Sequence, residues 1–231
     1  MEVVNFRVGH RIVSFNILDI LLTEKFANDQ TPVPTKDISF LGVKNFMNNA
    51  TPIYDLGAAL NGETTQVHNK AQLKFINQAE EILQNDNLSD SAKLHKCEQE
   101  LSQIQSYNHE VSEVLNQVIN NLLQKKKFDP TRLNQQLVMV EELIISSHKP
   151  VTVYTTTNGR YANAGFVVDK VEDSMHIDAQ NIRKLNDLEF HTGNIDKRVR
   201  NMLKGLISNE KTASLLLDPA AFYQEIAYAP T

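Results

Sequence analysis

The chain has 231 residues, a formal net charge of −5 and 41% hydrophobic residues. Such a chain suits a soluble globular protein of one large domain or two small ones, and interspersed charges of that balance argue against a basic surface for nucleic acid. The N-terminal MEVVNFRVGHRIVSF lacks the basic start of a signal peptide, no run of about 18 apolar residues predicts a membrane span, and the single Cys97 rules out an internal disulfide.

The first part reads as β. VVNFRVGHRIVSFNILDILL is rich in branched and aromatic residues around a Gly9-His10 turn. Val13, Phe15 and Ile17 alternate as in a half-buried strand. TPVPTKD is an extended proline loop. GVKNFMNNATPIYDLGAAL, from Gly42 to Leu60, reads as a turn feeding a half-buried strand.

Between Gly62 and Gly159 there is no glycine, and the pattern becomes helical. Leu73, Ile76, Ala79 and Leu83 form one stripe. Leu94, Cys97, Leu101, Ile104, Asn108, Val111, Leu115, Val118 and Leu122 follow a 4-3 repeat with Asn108 as its polar intrusion. Leu133, Leu137, Val140 and Ile144 form a third stripe, begun by an Asp129 cap and Pro130 at the first helical position. This predicts an antiparallel bundle of three long helices, or four if the longest breaks.

The last part returns to β. VTVYTTTNGRYANAGFVVDKVE reads as two strands around an Asn158-Gly159 hairpin, KTASLLLDP as another strand and AAFYQEIA as a closing helix. The order predicts an α+β fold, in which residues 1–62 and 149–231 form one discontinuous β domain and 63–148 a helical insertion.

Four motifs stand in order across the β parts. They are a Phe-x-x-Gly turn before an apolar strand in FRVGHRIVSFNILDIL, and Gly-Val-x-Asn then Pro-Ile-x-Asp-Leu after the proline loop. A Gly-led strand ending in Val168-Asp169 follows, then Leu-Leu-Asp before the final helix. Together they resemble the CheW-type adaptor domain of bacterial chemotaxis arrays, over Val3 to Gly62 and about Lys149 to Tyr223. The resemblance implies a double β-barrel, two intertwined SH3-like five-stranded barrels. It also implies no catalysis, and binding to the chemoreceptor cytoplasmic tip and the regulatory domain of a CheA-type histidine kinase. Candidate partner-binding residues on this reading are Asn45, Phe46, Met47, Asn48, Val168 and Asp169. The chain departs from the family where Arg-Gly becomes Met47-Asn48: a charged fork is replaced by a soft apolar contact, and Asn48 takes over the glycine's turn.

The helical part also resembles the chemoreceptor zinc-binding domain, a four-helix bundle with three histidines and one cysteine on zinc. His68 and Cys97 match ligand positions, but the His pair becomes Asn108 and Ser112. His109 is one residue off, which turns it about 100° around the helix. No metal is expected, and His68, Cys97 and His109 are remnant candidates. Cys97 instead fills a core seam, Asn108 sets register and His68 lies at a boundary.

The remaining charged features have plain structural readings. Lys125, Lys126 and Lys127 compensate a helix dipole. Lys197, Arg198, Arg200 and Lys204 form a solvated face, His10 and His191 are exposed turn residues, and Asp55 and Asp169 take cap or turn hydrogen bonds. The expectation is a cytoplasmic, non-enzymatic adaptor without cofactor, nucleic acid or membrane insertion. The alternatives are a zinc- or redox-sensing module using the insertion, and a divergent scaffold outside chemoreceptor arrays.

Overall fold

Alternation of apolar side chains sets the first hairpin. β1 (Glu2–Val8) turns through Gly9-His10 into β2 (Arg11–Asn16), with Val3, Phe6, Val8, Val13 and Phe15 buried. The alternation does not reach Ile17, which is exposed. Asn16 accepts the Leu18 N–H and starts a 3-10 turn over Ile17–Asp19, which leads the chain into a second sheet. The computed structural model describes residues 1–104, 109–123, 129–183, 197–208 and 213–227, with the side chains of all of these except 109, 110, 123 and 224–227.

Among the described residues the second sheet has five strands. They are β3 (Ile20–Lys25), β4 (Phe40–Phe46), β5 (Asn49–Asp55), β6 (Val151–Thr155) and β7 (Ala164–Val168), in the order β3-β6-β7-β5-β4. The first sheet is completed by β8 (Lys170–His176), β9 (Ile182–Arg183), β10 (Leu203–Ser208) and β11 (Ala213–Leu217), in the order β8-β1-β2-β11-β10-β9. Because the chain leaves the first sheet after β2 and returns at β8, the sheets are interleaved in sequence. Parallel pairs β2–β11 and β5–β7 join the early strands to the late ones.

The expectation of two five-stranded barrels needs correcting in two respects. One sheet has six strands, and in neither does a hydrogen-bonded ladder join the two edges among the described residues. Past the end of β3, a backbone bridge between Thr31 and Val43 of β4 spans the gap, and side chains join it. Flat, the edges β3 and β4 would stand about 19 Å apart. Lys44 Nζ on β4 lies 2.7 Å from Glu24 Oε1 on β3, so the five-stranded sheet is curled onto itself. The six-stranded sheet curls likewise: Met175 of β8 and Ile182 of β9, from opposite edges, pack on one small core of Val3, Ile177, Ile207 and Leu216. β7 is buried along its whole length. Phe166 and Val168 face a core shared with Phe6, Phe15 and Phe222, while Val167 faces the five-stranded barrel's interior with Phe46, Ile53 and Tyr154. Each large side chain so buried contributes about 1.5–3 kcal/mol, which makes the shared core the dominant favourable term.

The chain divides into two compact units, Met1–Thr65 with Lys149–Thr231, and Gln66–His148. In the first, α1 (Leu56–Asn61) follows β5, α6 (Lys197–Met202) precedes β10 and α7 (Pro219–Ala227) follows β11. The second is built from α2 (Thr65–Gln84), α3 (Asp90–Leu101), α4 (His109–Leu123) and α5 (Pro130–Ser147). The long seam breaks after Leu101, giving four helices among the described residues. No glycine or proline marks the break. Cys97 Sγ lies 3.5 Å from the Ala79 carbonyl and Lys93 Nζ 2.8 Å from that of Leu83. Those opposed pairings run α2 and α3 antiparallel. Seam residues from Ile76 to Ile144 fill one core, and Asp129 caps α5 by accepting the Arg132 N–H at 3.1 Å.

Candidate interaction surface

The site is built on the β4–β5 hairpin. Gly42 takes φ 134°, and a Cβ there would strike the Thr31 carbonyl that bridges to β4. Further along, Phe46 pairs with Asn49, leaving Met47-Asn48 as a two-residue turn between two strands where the sequence reads as one turn feeding one strand. Both turn residues have positive φ, 51° and 63°, the geometry of a type I′ turn whose preferred sequence is Asn-Gly. Asn48 suits it. Met47 has a Cβ that meets the backbone, a cost of about 1–2 kcal/mol. Its side chain is 64% exposed.

Phe46 points the other way. Its ring stacks on Tyr154 at 3.7 Å with 9° between planes, inside the five-stranded barrel. The Tyr154 hydroxyl donates to Glu24 at 2.7 Å, and burial, then that carboxylate, push the phenol well above its ordinary range. Burial alone would raise Glu24, but Lys44 and Tyr154 outweigh it and hold the carboxyl low. Lys44 also reaches Asp29 at 3.0 Å. A rigid apolar and ionic base therefore supports the tip.

Register places other loops beside it. β3 begins opposite the end of β6, at Ile20↔Thr155, and β7 begins at Ala164 opposite Thr155. β5 runs parallel to β7 with Ile53↔Gly165, so its start lies at that same end. The end of the barrel thus carries the Ile17–Asp19 turn, the 156–163 connection and the Met47-Asn48 tip. Leu18 is 80% exposed and Tyr161 55%. Ala162 packs on the Phe46–Tyr154 core, and the Thr156 N–H bonds the Asp19 carbonyl at 2.9 Å. Asn158 and Asn163 side chains pin the connection through the N–H groups of Arg160, Tyr161 and Thr157. The eight residues between β6 and β7 form this ordered loop, not a two-residue hairpin.

The sequence-based candidates do not gather at one place. Asn45, Met47 and Asn48 are exposed at or beside the tip, and Phe46 is buried beneath it. Val168 and Asp169 stand at the far end of β7, next to Asp55. Val168 is fully buried and offers no surface. Asp169 accepts the Gly9 N–H at 2.5 Å, donates its own N–H to Arg7 and accepts that of Lys149, so it ties the sheets together. Leu18 and Tyr161 were missed because neither belongs to a periodic pattern; only strand register brings them to the tip.

Arg198 is not on a solvated face. It pairs with Asp37 at 2.6 Å and Ser39 at 3.1 Å, and lies over the rings of Tyr54 and Phe222. Burial would raise Asp37, but the bonds from Arg198 and Ser39 outweigh it and hold the carboxyl low. Lys204 pairs with Asp218 at 2.6 Å, while Lys197, Arg200 and His10 are exposed.

Cys97 is fully buried, and burial pushes its thiol up to about 11. A redox-sensing cysteine needs an accessible, acidic thiol, so the redox alternative finds no support in it. Among the described residues no three His, Cys, Asp or Glu side chains gather to hold a metal. His68 is half-buried at the start of α2. Asn108, Lys125, Lys126, Lys127 and His191 lie outside the described residues, as does the side chain of His109. Among the described residues no helix is long and apolar enough to cross a membrane.

No protein-family profile matches the sequence. No curated protein matches it. Among solved structures, the chain is similar to the crystal structure of the scaffolding protein TtCheW from Thermoanaerobacter tengcongensis. The identity is 12%, the match covers 94% of this chain and 88% of that one, and the TM-score is 0.47.

Proposed function

We propose that the chain is a non-enzymatic adaptor of a chemotaxis-type pathway. Its hairpin end holds the regulatory domain of a CheA-type histidine kinase or a chemoreceptor tip, and α2–α5 add a second surface. The observation that carries the reading is Met47: an apolar side chain in a left-handed turn position and 64% exposed. Asparagine or glycine would suit the fold better there, and strain kept at an exposed apolar tip points to use in contact. Methionine is flexible and polarisable, and serves surfaces that accommodate partners. The ordered motifs of the sequence support the choice of pathway. In a pull-down against a CheA regulatory domain and a receptor tip, the reading predicts retention of at least one. Retention of neither sinks it and leaves the divergent scaffold.

A further inference from the structure

At the opposite end of the five-stranded barrel the chain departs for the helices by a short path. β5 ends at Asp55, α1 follows, Gly62 caps it, and Glu63 and Thr64 lead to Thr65, the first residue of α2. Asp55 is 2% exposed. Its Oδ1 accepts the Ala58 N–H at 3.0 Å and so caps α1. Both its oxygens lie 3.3 Å from the Thr65 nitrogen, and Oδ2 accepts the Thr65 hydroxyl at 3.2 Å. One carboxylate holds the first turn of α1 and the first residue of α2. The path is folded tightly over it. A Cβ at Gly57 would come within 2.9 Å of Asp55 Oδ1, and within 3.0 Å of both the Glu63 carbonyl and Thr65 Cγ2.

The carboxylate sits between opposed influences. Burial is the strongest and disfavours its charge; the bonds from Ala58 and Thr65 favour it; the nearby Asp169 opposes it again. The balance pushes Asp55 up to about 6. Charged residues at this corner include Glu63, on the clasped path itself, Lys149, whose N–H bonds the Asp169 carbonyl at 3.0 Å, and Arg11, whose Nε donates to Asn61 at the end of α1 at 3.3 Å.

We propose that Asp55 is a proton-operated clasp: ionised, it holds Thr65, the first residue of α2; protonated, it keeps the α1 cap and loosens its hold on the Thr65 N–H. The asymmetry follows from the bonding. Bonds to a charged acceptor are about twice as strong as bonds to a neutral one. Oδ1 has a helix N–H aimed at it by α1, whereas a proton on Oδ2 confronts the Thr65 N–H, and the Thr65 hydroxyl must turn round to accept it.

The test uses the full chain, with carbon-13 labelled aspartate and amide hydrogen exchange read as protection factors from neutral to mildly acid pH. The Asp55 carboxyl is expected to titrate near 6. Thr65 is expected to lose at least about tenfold protection across that midpoint while Ala58 keeps its own. In Asp55→Asn, Thr65 should show one protection factor at every pH. Should that variant fail to fold, Thr65→Val supplies the check. Removing a bond that favours the charge raises the Asp55 midpoint, and an unchanged midpoint overturns the clasp. So does titration of Asp55 in the ordinary carboxylate range, or constant Thr65 protection through its midpoint.

Discussion

Met47 and Asp55 each depart from the most stable choice. Met47 holds φ 51° on a turn that favours asparagine. Met47→Asn should therefore stabilise the protein by about 1 kcal/mol, read as a melting point raised by about 2–4 °C; an unchanged or lower melting point would show that the turn bears no strain. Asp55 has the opposite character, since its cost depends on pH. Its folded value, about 6 against an ordinary 3.8, means that the folded state holds a proton the unfolded state has released. Stability from this group is accordingly fully present below the ordinary value, falls as pH rises towards 6 and is flat above. The shift sets an upper bound on the order of 3 kcal/mol. Asp37 and Glu24, both held low, work the other way, and their contribution is lost only as pH falls through the acid range. The urea midpoint of the native sequence should be higher at pH 5 than at pH 7, and Asp55→Asn should remove most of that difference. An equal difference in the variant would place its origin elsewhere.

The five-stranded sheet curls onto itself through the Lys44–Glu24 pair and the Thr31–Val43 bridge rather than through a fifth ladder. Glu24→Ala leaves the Tyr154 hydroxyl without its acceptor and should cost about 1–3 kcal/mol in denaturant unfolding. A loss no larger than that of an exposed ion pair, about 0–1 kcal/mol, would mean that the edges are held by packing and the Thr31–Val43 bridge. In the helices, Asp129→Ala should cost about 1 kcal/mol through the lost α5 cap; no change in helical melting would contradict the cap. The element types with strong local signals were legible in the sequence. Asp129-Pro130 marked the start of α5, the 4-3 repeat marked a buried seam, and Gly9-His10 marked the first turn. β8 and β10 were not legible as separate strands. β8 alternates weakly and is largely exposed, and no glycine or proline marks the crossing at Asp169 from one sheet to the other. The site was half legible. The motif pointed to Asn45 through Asn48, but only register joins Leu18 and Tyr161 to them, and the same register sends Val168-Asp169 to the far end.

At the scale of the molecule, the β unit has two ends of different character. One exposes Leu18, Met47 and Tyr161 on a base made rigid by Phe46, Tyr154 and Glu24. The other buries Asp55 and dispatches the chain into α2. Variants at Met47 and Asp55 separate the partner contact proposed for the first end from the proton response proposed for the second. Exposed apolar side chains on a rigid support are suited to act as anchors, and truncating such an anchor commonly costs about 2 kcal/mol or more of binding. The measurement that tests the central claim most directly is calorimetric titration of the full chain with a CheA-type kinase regulatory domain, repeated with Met47→Ala. The account predicts saturable binding that weakens at least about tenfold, or about 1.4 kcal/mol, in the variant with its fold intact. No binding of the native sequence, or equal binding by the variant, would contradict it.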